Sequence, residues 1–568
     1  MLKRNVLVRR LNSVETLGST TVICSDKTGT LTKNEMTVTQ MYANGKYVDV
    51  TGEGYLVNGG FYVDNKEINP EEFHMLLLCG KLCNNASVHD GKIRGDPTEA
   101  ALIVAAEKGK VVENYKRIKE IPFTSESKSM STYNSVNNKN YLFVKTAPEI
   151  LIKNSKFLYN NGKYTLMTDK DRKELTKIND EMAGDALRVI AFAYSKEGDD
   201  RKLVFLGLMG MIDPARPEVK DSILTCKKAG IRVVMITGDH GLTAKAIAKE
   251  IGISGELLTG EELEKMSDDK LTYKIKNVNI FARVNPSHKV RILDALKKYG
   301  HIVAMTGDGV NDAPALKKAD IGVAVGSGTD VAKEASDMVL RDDNFASIVA
   351  AVEEGRGIYD NIKKFINYLL SSNLAEVLVV FIAMLIGFKL NDQVVIPLLA
   401  VHLLWINLVT DGLPALALGI DPVMPGIMDR KPRDPNTSII SKNLGWNIAI
   451  IGVLLAITVL FLFRLNLDTA ANAQTVAFTS LVVFEVVRLQ MIRSQYKLGI
   501  FSNMYLIWAV LLSIGLQVLI LYTPLNSYFG VVPLALTEWI EIIIAGLILF
   551  VAGNLVAWIV RKVTYEFD

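Results

Sequence analysis

Thr21-Val-Ile-Cys-Ser-Asp26-Lys-Thr-Gly-Thr-Leu-Thr32 is the stretch on which the reading of this chain turns. Its β-branched start predicts a strand over Thr21–Cys24 that ends in a polar turn carrying Asp26. Three more short apolar runs predict strands at Arg232–Ile236, His301–Met305 and Ile321–Val325. The first two of these also end in aspartate-bearing turns, Thr237-Gly-Asp239 and Thr306-Gly-Asp308. Strands that alternate with amphipathic stretches predict a parallel α/β sheet. Ligands of such sheets sit beyond the carboxyl ends of the strands, so the aspartates are expected to meet at one site. About 190 residues separate the first strand from the second, far more than a loop needs, so a whole domain is expected between them.

Composition divides the chain in two. Of 568 residues, 64 are Lys or Arg and 61 Asp or Glu, and the net charge of +3 gives no field for nucleic acid. Residues 365–568 hold only 23 of those charges and all five tryptophans, so a charged half precedes an apolar one. Intrinsic disorder and a secreted disulfide scaffold are both excluded. Cys24, Cys79, Cys83 and Cys226 lie in the charged half without zinc-ligand spacing, and read as buried reduced thiols of a cytosolic domain. Met1-Leu-Lys-Arg-Asn5 lacks the apolar stretch of a signal peptide.

The apolar half predicts six spans, near 366–388, 397–419, 445–464, 474–492, 503–523 and 538–560. Basic residues collect before the first span and after the second, fourth and sixth, which places both ends of the block on the cytoplasmic side of a bilayer. Polar groups inside the spans are costly and mark function. Asn373 and Glu376 share a helix face, as do Asn407, Thr410 and Asp411, and Glu485 lies within the fourth span. All are hard oxygen ligands of the kind Ca²⁺ accepts, and Mn²⁺ would use many of the same atoms. Arg488, one turn beyond Glu485, is placed to pair with it.

In the charged half, Asp26 at a strand end can attack a phosphoryl group to form an aspartyl-phosphate. Lys27 and the turn amides would offset phosphate charge. Asp308 can hold Mg²⁺ with Asp26, while Asn311 and Asp312 position the phosphate shell. Thr237 and Asp239 add a hydroxyl and a carboxylate, and Lys289 a cation for the transferred group.

Taken together, Asp26-Lys-Thr-Gly-Thr30, Lys145-Thr-Ala-Pro-Glu149, Asp213-Pro-Ala-Arg216, Thr237-Gly-Asp239 and Thr306-Gly-Asp-Gly-Val-Asn-Asp312 resemble the motifs of P-type cation-transporting ATPases, specifically the calcium-pump branch. Asn407-Leu-Val-Thr-Asp-Gly-Leu-Pro414 is similar to that branch's ion-binding helix, and its Gly and Pro would break the helix and free carbonyls. The resemblance implies a haloacid-dehalogenase-like α/β phosphorylation domain, an inserted α+β nucleotide-binding domain and six transmembrane helices. The divisions expected are 1–37 for the stalk and first part of the phosphorylation domain, 38–205 for the nucleotide domain, 206–345 for the second part, and 346–568 for stalk and membrane domain. It implies phosphorylation of Asp26 by ATP, with Mg²⁺ between Asp26, the Thr28 carbonyl and Asp308. It also implies a nucleotide site with Phe123 stacked on adenine, lined by Glu99, Lys128, Lys145 and Arg188 and approached by Gly238. Two departures stand out: Thr146 where the family usually has glycine, and Ser125 where calcium pumps often place arginine.

Complete pumps of the family have about ten spans, and Met1 resembles a position just after the fourth. The resemblance therefore implies that the first four spans and the actuator domain are absent, and that the chain alone does not transport. A separate chain that supplies them is one candidate partner, beside the readings of a truncated product or a mis-called start, and the cell membrane is the expected location. The alternatives are half of a split pump or a non-catalytic ATP-binding membrane partner; Lys27, Thr28 and the large insertion weigh against a membrane-tethered phosphatase. Thr51-Gly-Glu53 reads as a turn, Gly326-Ser-Gly328 lacks the third glycine of a dinucleotide site, and His402 reads as a packing or membrane-edge residue.

Overall fold

The strand Val22–Asp26 lies in the middle of a sheet, between Arg232–Ile236 and Val303–Gly307, both parallel to it. The computed structural model describes residues 1–564 apart from 53, 90, 113, 125, 197–201 and 436. Among these, eight strands form the sheet. Beyond Val303–Gly307 come Ile321–Val325, Met338–Leu340 and the antiparallel edge Val6–Val8; beyond Arg232–Ile236 come Val278–Ala282 and Glu256–Thr259. Alternate residues of the central strands face opposite sides. Ile23, Val233, Met235 and Ala304 enter one core, and Val22, Cys24, Val234, Ile236, Val303 and Met305 the other. That double burial is why these strands read as continuous apolar runs. Two of the strands end two residues later than the apolar runs suggest, so Asp26 itself is the last residue of its strand and Gly307 of its neighbour.

The chain leaves this sheet after Asp26 and builds a second, largely antiparallel one. Its order runs Lys66–Glu67, Phe61–Val63, Lys46–Val50, Thr37–Ala43, Val204–Ile212, Arg188–Lys196, Lys139–Thr146, Ser129–Val136 and Tyr115–Thr124. The hairpin strands Phe157–Asn160 and Lys163–Leu166 attach to Val204–Ile212. That strand crosses the division expected at residue 205, which falls inside it. The turn at Thr51 lies in this domain, with Gly52 at φ +87°; Glu53 and Ser125 are outside the described residues.

Among the described residues, six helices are long and apolar enough to cross a membrane. The first, Phe345–Ile386, runs for 42 residues, and the span expected at 366–388 is only its far half. Its near half is a stalk packed against the eight-stranded sheet. Helix Asn12–Gly18 crosses the stalk where two glycines meet: a Cβ on Gly355 would lie 2.9 Å from the Val14 carbonyl oxygen and 3.0 Å from the Gly18 nitrogen. Arg356, next in sequence, donates to the carbonyls of Ala229, Ile427 and Arg430. Further along, Asn361 donates to the Asp421 carbonyl, and Lys364 lies 3.0 Å from the Asp421 carboxylate.

The second span is not opened at Gly412 and Pro414 as expected. It continues as Ala400–Trp405, a π-helical turn over Ile406–Thr410, and Gly412–Leu418. The Asp411 amide reaches back to the Ile406 carbonyl at 2.9 Å, which absorbs one extra residue in the turn. The remaining spans are Lys442–Leu465, Ala470–Gln495, Met504–Tyr522 and Leu536–Val560.

Candidate functional site

At the carboxyl ends of the central strands, Asp26 receives its position from the sheet. Its amide donates to the Thr306 hydroxyl at 2.8 Å, which ties the two strand ends together. The Lys289 ammonium lies 2.6 Å from Asp26 and 2.7 Å from Asp312. Asp312 also accepts from the amides of Asp308 and Gly309, so its orientation is fixed from two sides. Burial works against the charge on Lys289, but the carboxylates of Asp26 and Asp312 outweigh it and hold the ammonium above its ordinary range. Burial, then the charges of Asp26 and Asp312, push the exposed-facing Asp308 carboxyl upward. Oxygens of Asp26, Asp308 and Asp312 all lie within 4.8 Å of one another. Three hard oxygens this close, one of them facing solvent, fit a divalent cation such as Mg²⁺. The turn after Asp26 carries Thr28 with extended backbone and Gly29 at φ +76°, a conformation glycine adopts without strain. Asn311 is exposed on the adjoining 3-10 turn Val310–Asp312.

Lys27 turns away from Asp26. Its ammonium is 2.7 Å from Asp239 and 3.7 Å from Asp213, with both Lys27 and Asp213 buried. Asp213 further accepts from the Thr32 hydroxyl and the Glu35 amide, and Thr237 accepts from the Asp239 amide at 3.1 Å. A Cβ at Gly238 would meet nothing within 4 Å, so this turn faces open space.

In the inserted domain, Glu99 and Lys145 form an ion pair at 2.6 Å, with little of the lysine exposed. Arg188 donates to the Thr98 hydroxyl, one residue from Glu99. Lys145 pairs in register with Met130, and Ser129 with Thr124, so Phe123 lies two strands across from Lys145 at the same end of the sheet. Phe123 is 59% exposed, an apolar ring left open to solvent. Lys128, at φ +49°, shapes the intervening turn. Thr146 points into that turn, where its hydroxyl donates to the Lys128 carbonyl at 2.6 Å.

Among the membrane helices, oxygens of Glu376, Asp411 and Glu485 lie within 4.8 Å of one another, all three residues buried. Asn407 donates to Glu376, Thr410 to Glu485 and Tyr368 to Asp411, each to one carboxylate oxygen. The other oxygens, Glu376 Oε1, Asp411 Oδ2 and Glu485 Oε1, are buried without a partner. Asn373 is exposed on the outer side of its helix. Arg488 does not pair with Glu485. It is held by Asn367, Ser371 and Asn447, which lie on neighbouring helices.

Residues 72–218 match the family described as P-type ATPase, cytoplasmic domain N, and 395–559 match cation transporting ATPase, C-terminus. Residues 154–317 and 284–352 match haloacid dehalogenase-like hydrolases. The calcium-transporting ATPase of Bacillus subtilis (strain 168) is 44% identical across 96% of this chain, and the calcium-transporting ATPase 1 of Bacillus cereus 43% across 98%. The human calcium-transporting ATPase type 2C member 1 is 39% identical across 99%. The chain belongs to the P-type cation ATPases. It spans 64%, 65% and 62% of these three relatives, a little under two thirds of each.

In this P-type ATPase chain the haloacid dehalogenase-like sheet delivers Asp26, Thr237, Asp239 and Asp308 to one edge, as the strand ends suggest. The sequence reading did not give Asp213 a role, although it falls in a quoted motif. Asp421 carried no signal beyond being an acid at the end of an apolar run, yet it accepts from Lys364, Arg493 and Asn503. Gly326-Ser-Gly328 has its first two amides taken by Asp343. His402 packs flat on Phe478, with ring centroids 4.4 Å apart, and its Nε2 meets the Phe529 carbonyl. All four cysteines are buried and unbridged.

Proposed function

We propose that this chain is the catalytic and ion-binding part of an ATP-driven cation pump, with Ca²⁺ as cargo, and that ATP phosphorylates Asp26. The observation that carries the reading is the Asp26 carboxylate, set at a strand end, bonded to Lys289 and within 4.8 Å of Asp308 and Asp312. An Asp26 oxygen attacks the γ-phosphorus, the bond to the bridging oxygen breaks, and ADP leaves as Asp26 becomes an acyl phosphate. Lys289 stands where it neutralises charge on the transferred group, and the Thr306 hydroxyl keeps the Asp26 backbone in place. Asp26, Asp308 and the Thr28 carbonyl would hold Mg²⁺, with Asn311 and Asp312 ordering the surrounding shell; bound there, the ion offsets phosphate charge. Phe123 offers a stacking face, and Glu99, Lys128, Lys145 and Arg188 frame the nucleotide around it, with Gly238 leaving room at the phosphates.

Glu376, Asp411 and Glu485, with Asn407 and Thr410, form the cargo site, while Asn373, expected there from the sequence, faces outward. The three unpartnered carboxylate oxygens support this, since a buried orphan acceptor costs about 1–3 kcal/mol unless something fills the place. The distribution of Lys and Arg supports a cytoplasmic position for the charged half, beside the membrane that the six helices would cross. Asn373 and Asn407 are exposed beside Val377, Leu404 and Leu408, a mixed face that lipid alone would cover poorly. We assign it to further membrane helices of the working pump.

The test is exposure of the purified chain to γ-labelled ATP with Mg²⁺, followed by acid quench. Acid-stable label is expected on the chain and is expected to vanish in Asp26→Asn. An unlabelled wild-type chain that still binds ATP would overturn the phosphorylation claim.

A further inference from the structure

We propose that His288 and Glu264 form a positioning device for Lys289: the carboxylate fixes the imidazole in the tautomer that caps the helix carrying the lysine. The inference rests on the reading of Asp26 as the phosphorylated residue, and it adds two positioning residues to that reaction.

Lys289 reaches Asp26 at 2.6 Å and Asp312 at 2.7 Å from the first turn of helix Pro286–Lys298. A displacement of about 1 Å would lengthen both contacts beyond hydrogen-bond range. The placement of this first turn therefore decides whether the ammonium bridges the two acids. A reciprocal cap sets it. The Asn285 side chain accepts from the His288 amide at 3.0 Å, and His288 Nδ1 accepts from the Asn285 amide at 3.3 Å. Glutamate or glutamine ordinarily fills the place of His288, since each offers an oxygen to that amide. An imidazole accepts there only when Nδ1 holds a lone pair and the proton is on Nε2.

Glu264 selects that arrangement. Its Oε1 lies 3.3 Å from His288 Nε2 and also accepts from the Asn285 side-chain amide at 3.4 Å. A carboxylate only accepts, so the ring nitrogen that faces it carries the proton. The stretch that bears the carboxylate is held in turn. Arg291, on the same helix as His288, donates to the carbonyls of Leu263 at 2.9 Å and Met266 at 2.6 Å, on either side of Glu264. At the other end of the short helix Gly260–Glu264, Thr259 and Glu262 form a second reciprocal cap. A Cβ on Gly260 would lie 3.1 Å from His288 Cε1, so this helix packs directly against the ring. The histidine is 3% exposed, and each ring nitrogen relies on the partner it faces.

The test is the rate of acid-stable labelling of the purified chain from γ-labelled ATP, read by quenched flow beside nucleotide affinity. Glu264→Ala trims an exposed side chain and should fold as wild type does. It should slow labelling by about three- to tenfold, with ATP affinity within about twofold of wild type. His288→Ala removes the cap outright and should slow labelling by about tenfold or more. His288→Gln can accept from Asn285 and donate to Glu264, and should stay within about threefold of wild type. A residue that acts through Lys289 has nothing to position once that side chain is gone. Glu264→Ala combined with Lys289→Ala should therefore label no more slowly than Lys289→Ala alone, whereas a general loss of structure would slow it further. Unchanged labelling in both Glu264→Ala and His288→Ala, additive losses in the double variant, or no recovery in His288→Gln overturns the proposal. A wild-type chain that binds ATP but takes no label overturns the reading of Asp26, and this inference falls with it.

Discussion

Lys289 bridges two carboxylates from different turns, and that double contact makes it the residue most exposed to substitution. Lys289→Ala would leave Asp26 and Asp312 as unscreened neighbours and remove the cation beside the transferred phosphoryl group. We expect phosphoenzyme formation to slow by about 100-fold or more, with ATP binding retained, measured by quenched-flow labelling against fluorescent-nucleotide titration. Thr146 leads to a different expectation from the one its bulk suggests. Its side chain points into the Lys128 turn and holds it through a 2.6 Å bond. Thr146→Gly should therefore weaken ATP binding, by about three- to tenfold, and lower stability by about 1 kcal/mol; a gain in affinity would contradict this placement. Both residues show what a sequence can reveal at this scale. Asp26, Thr237, Asp239 and Asp308 were legible because each follows an apolar run, and strand ends converge in a parallel sheet. The partner of Lys27 was not, because a long flexible side chain can reach any of several acids, and only packing selects Asp239 and Asp213 over Asp26.

The stalk helix is the element that joins the two halves. Its contact with helix Asn12–Gly18 depends on the absence of side chains at Gly18 and Gly355, where the backbones meet. Gly355→Val would force the two helices apart. Overpacking of this kind costs about 1–3 kcal/mol, so we expect a lower melting temperature, and a loss of Ca²⁺-dependence in phosphorylation that exceeds any loss in ATP binding. The second span illustrates the limit of reading elements from composition. Gly412 and Pro414 signal an interruption, and the sequence cannot say which kind. The chain resolves it with a wide turn over Ile406–Thr410, which keeps the helix continuous and puts Thr410 against Glu485. Helix periodicity likewise placed Asn373 and Glu376 on one face, but could not tell that this face divides, with Glu376 inward and Asn373 exposed.

Across the whole molecule, Asp421 is the point where the membrane helices are tied together at their charged end. The carboxylate is fully buried and meets Lys364 from the first span, Arg493 from the fourth and Asn503 at the start of the fifth. Removing its charge would strand two buried cations, a change that costs about 3–5 kcal/mol. Asp421→Asn should aggregate in detergent at temperatures the wild-type chain tolerates, as followed by size-exclusion chromatography after heating. This clamp was invisible in the sequence because its members lie far apart along the chain, and none sits in a motif. The division into a charged and an apolar half was plain, since burial in lipid excludes charge over whole spans at once.

The uninterrupted stalk has one more consequence. Gly355 and Glu376 ride on the same helix, 21 positions apart. Every peptide unit between them fixes the angular phase of one site relative to the other, at about 100° per residue. One alanine inserted after Tyr368 would turn Glu376 through more than a quarter circle, away from Asp411 and Glu485, with neither site altered in composition. Inserting seven residues, close to two full turns, would bring the phase back to within about 20° while shifting the site about 10 Å along the axis. The two insertions would separate rotation from distance as the quantity by which this helix links its two ends.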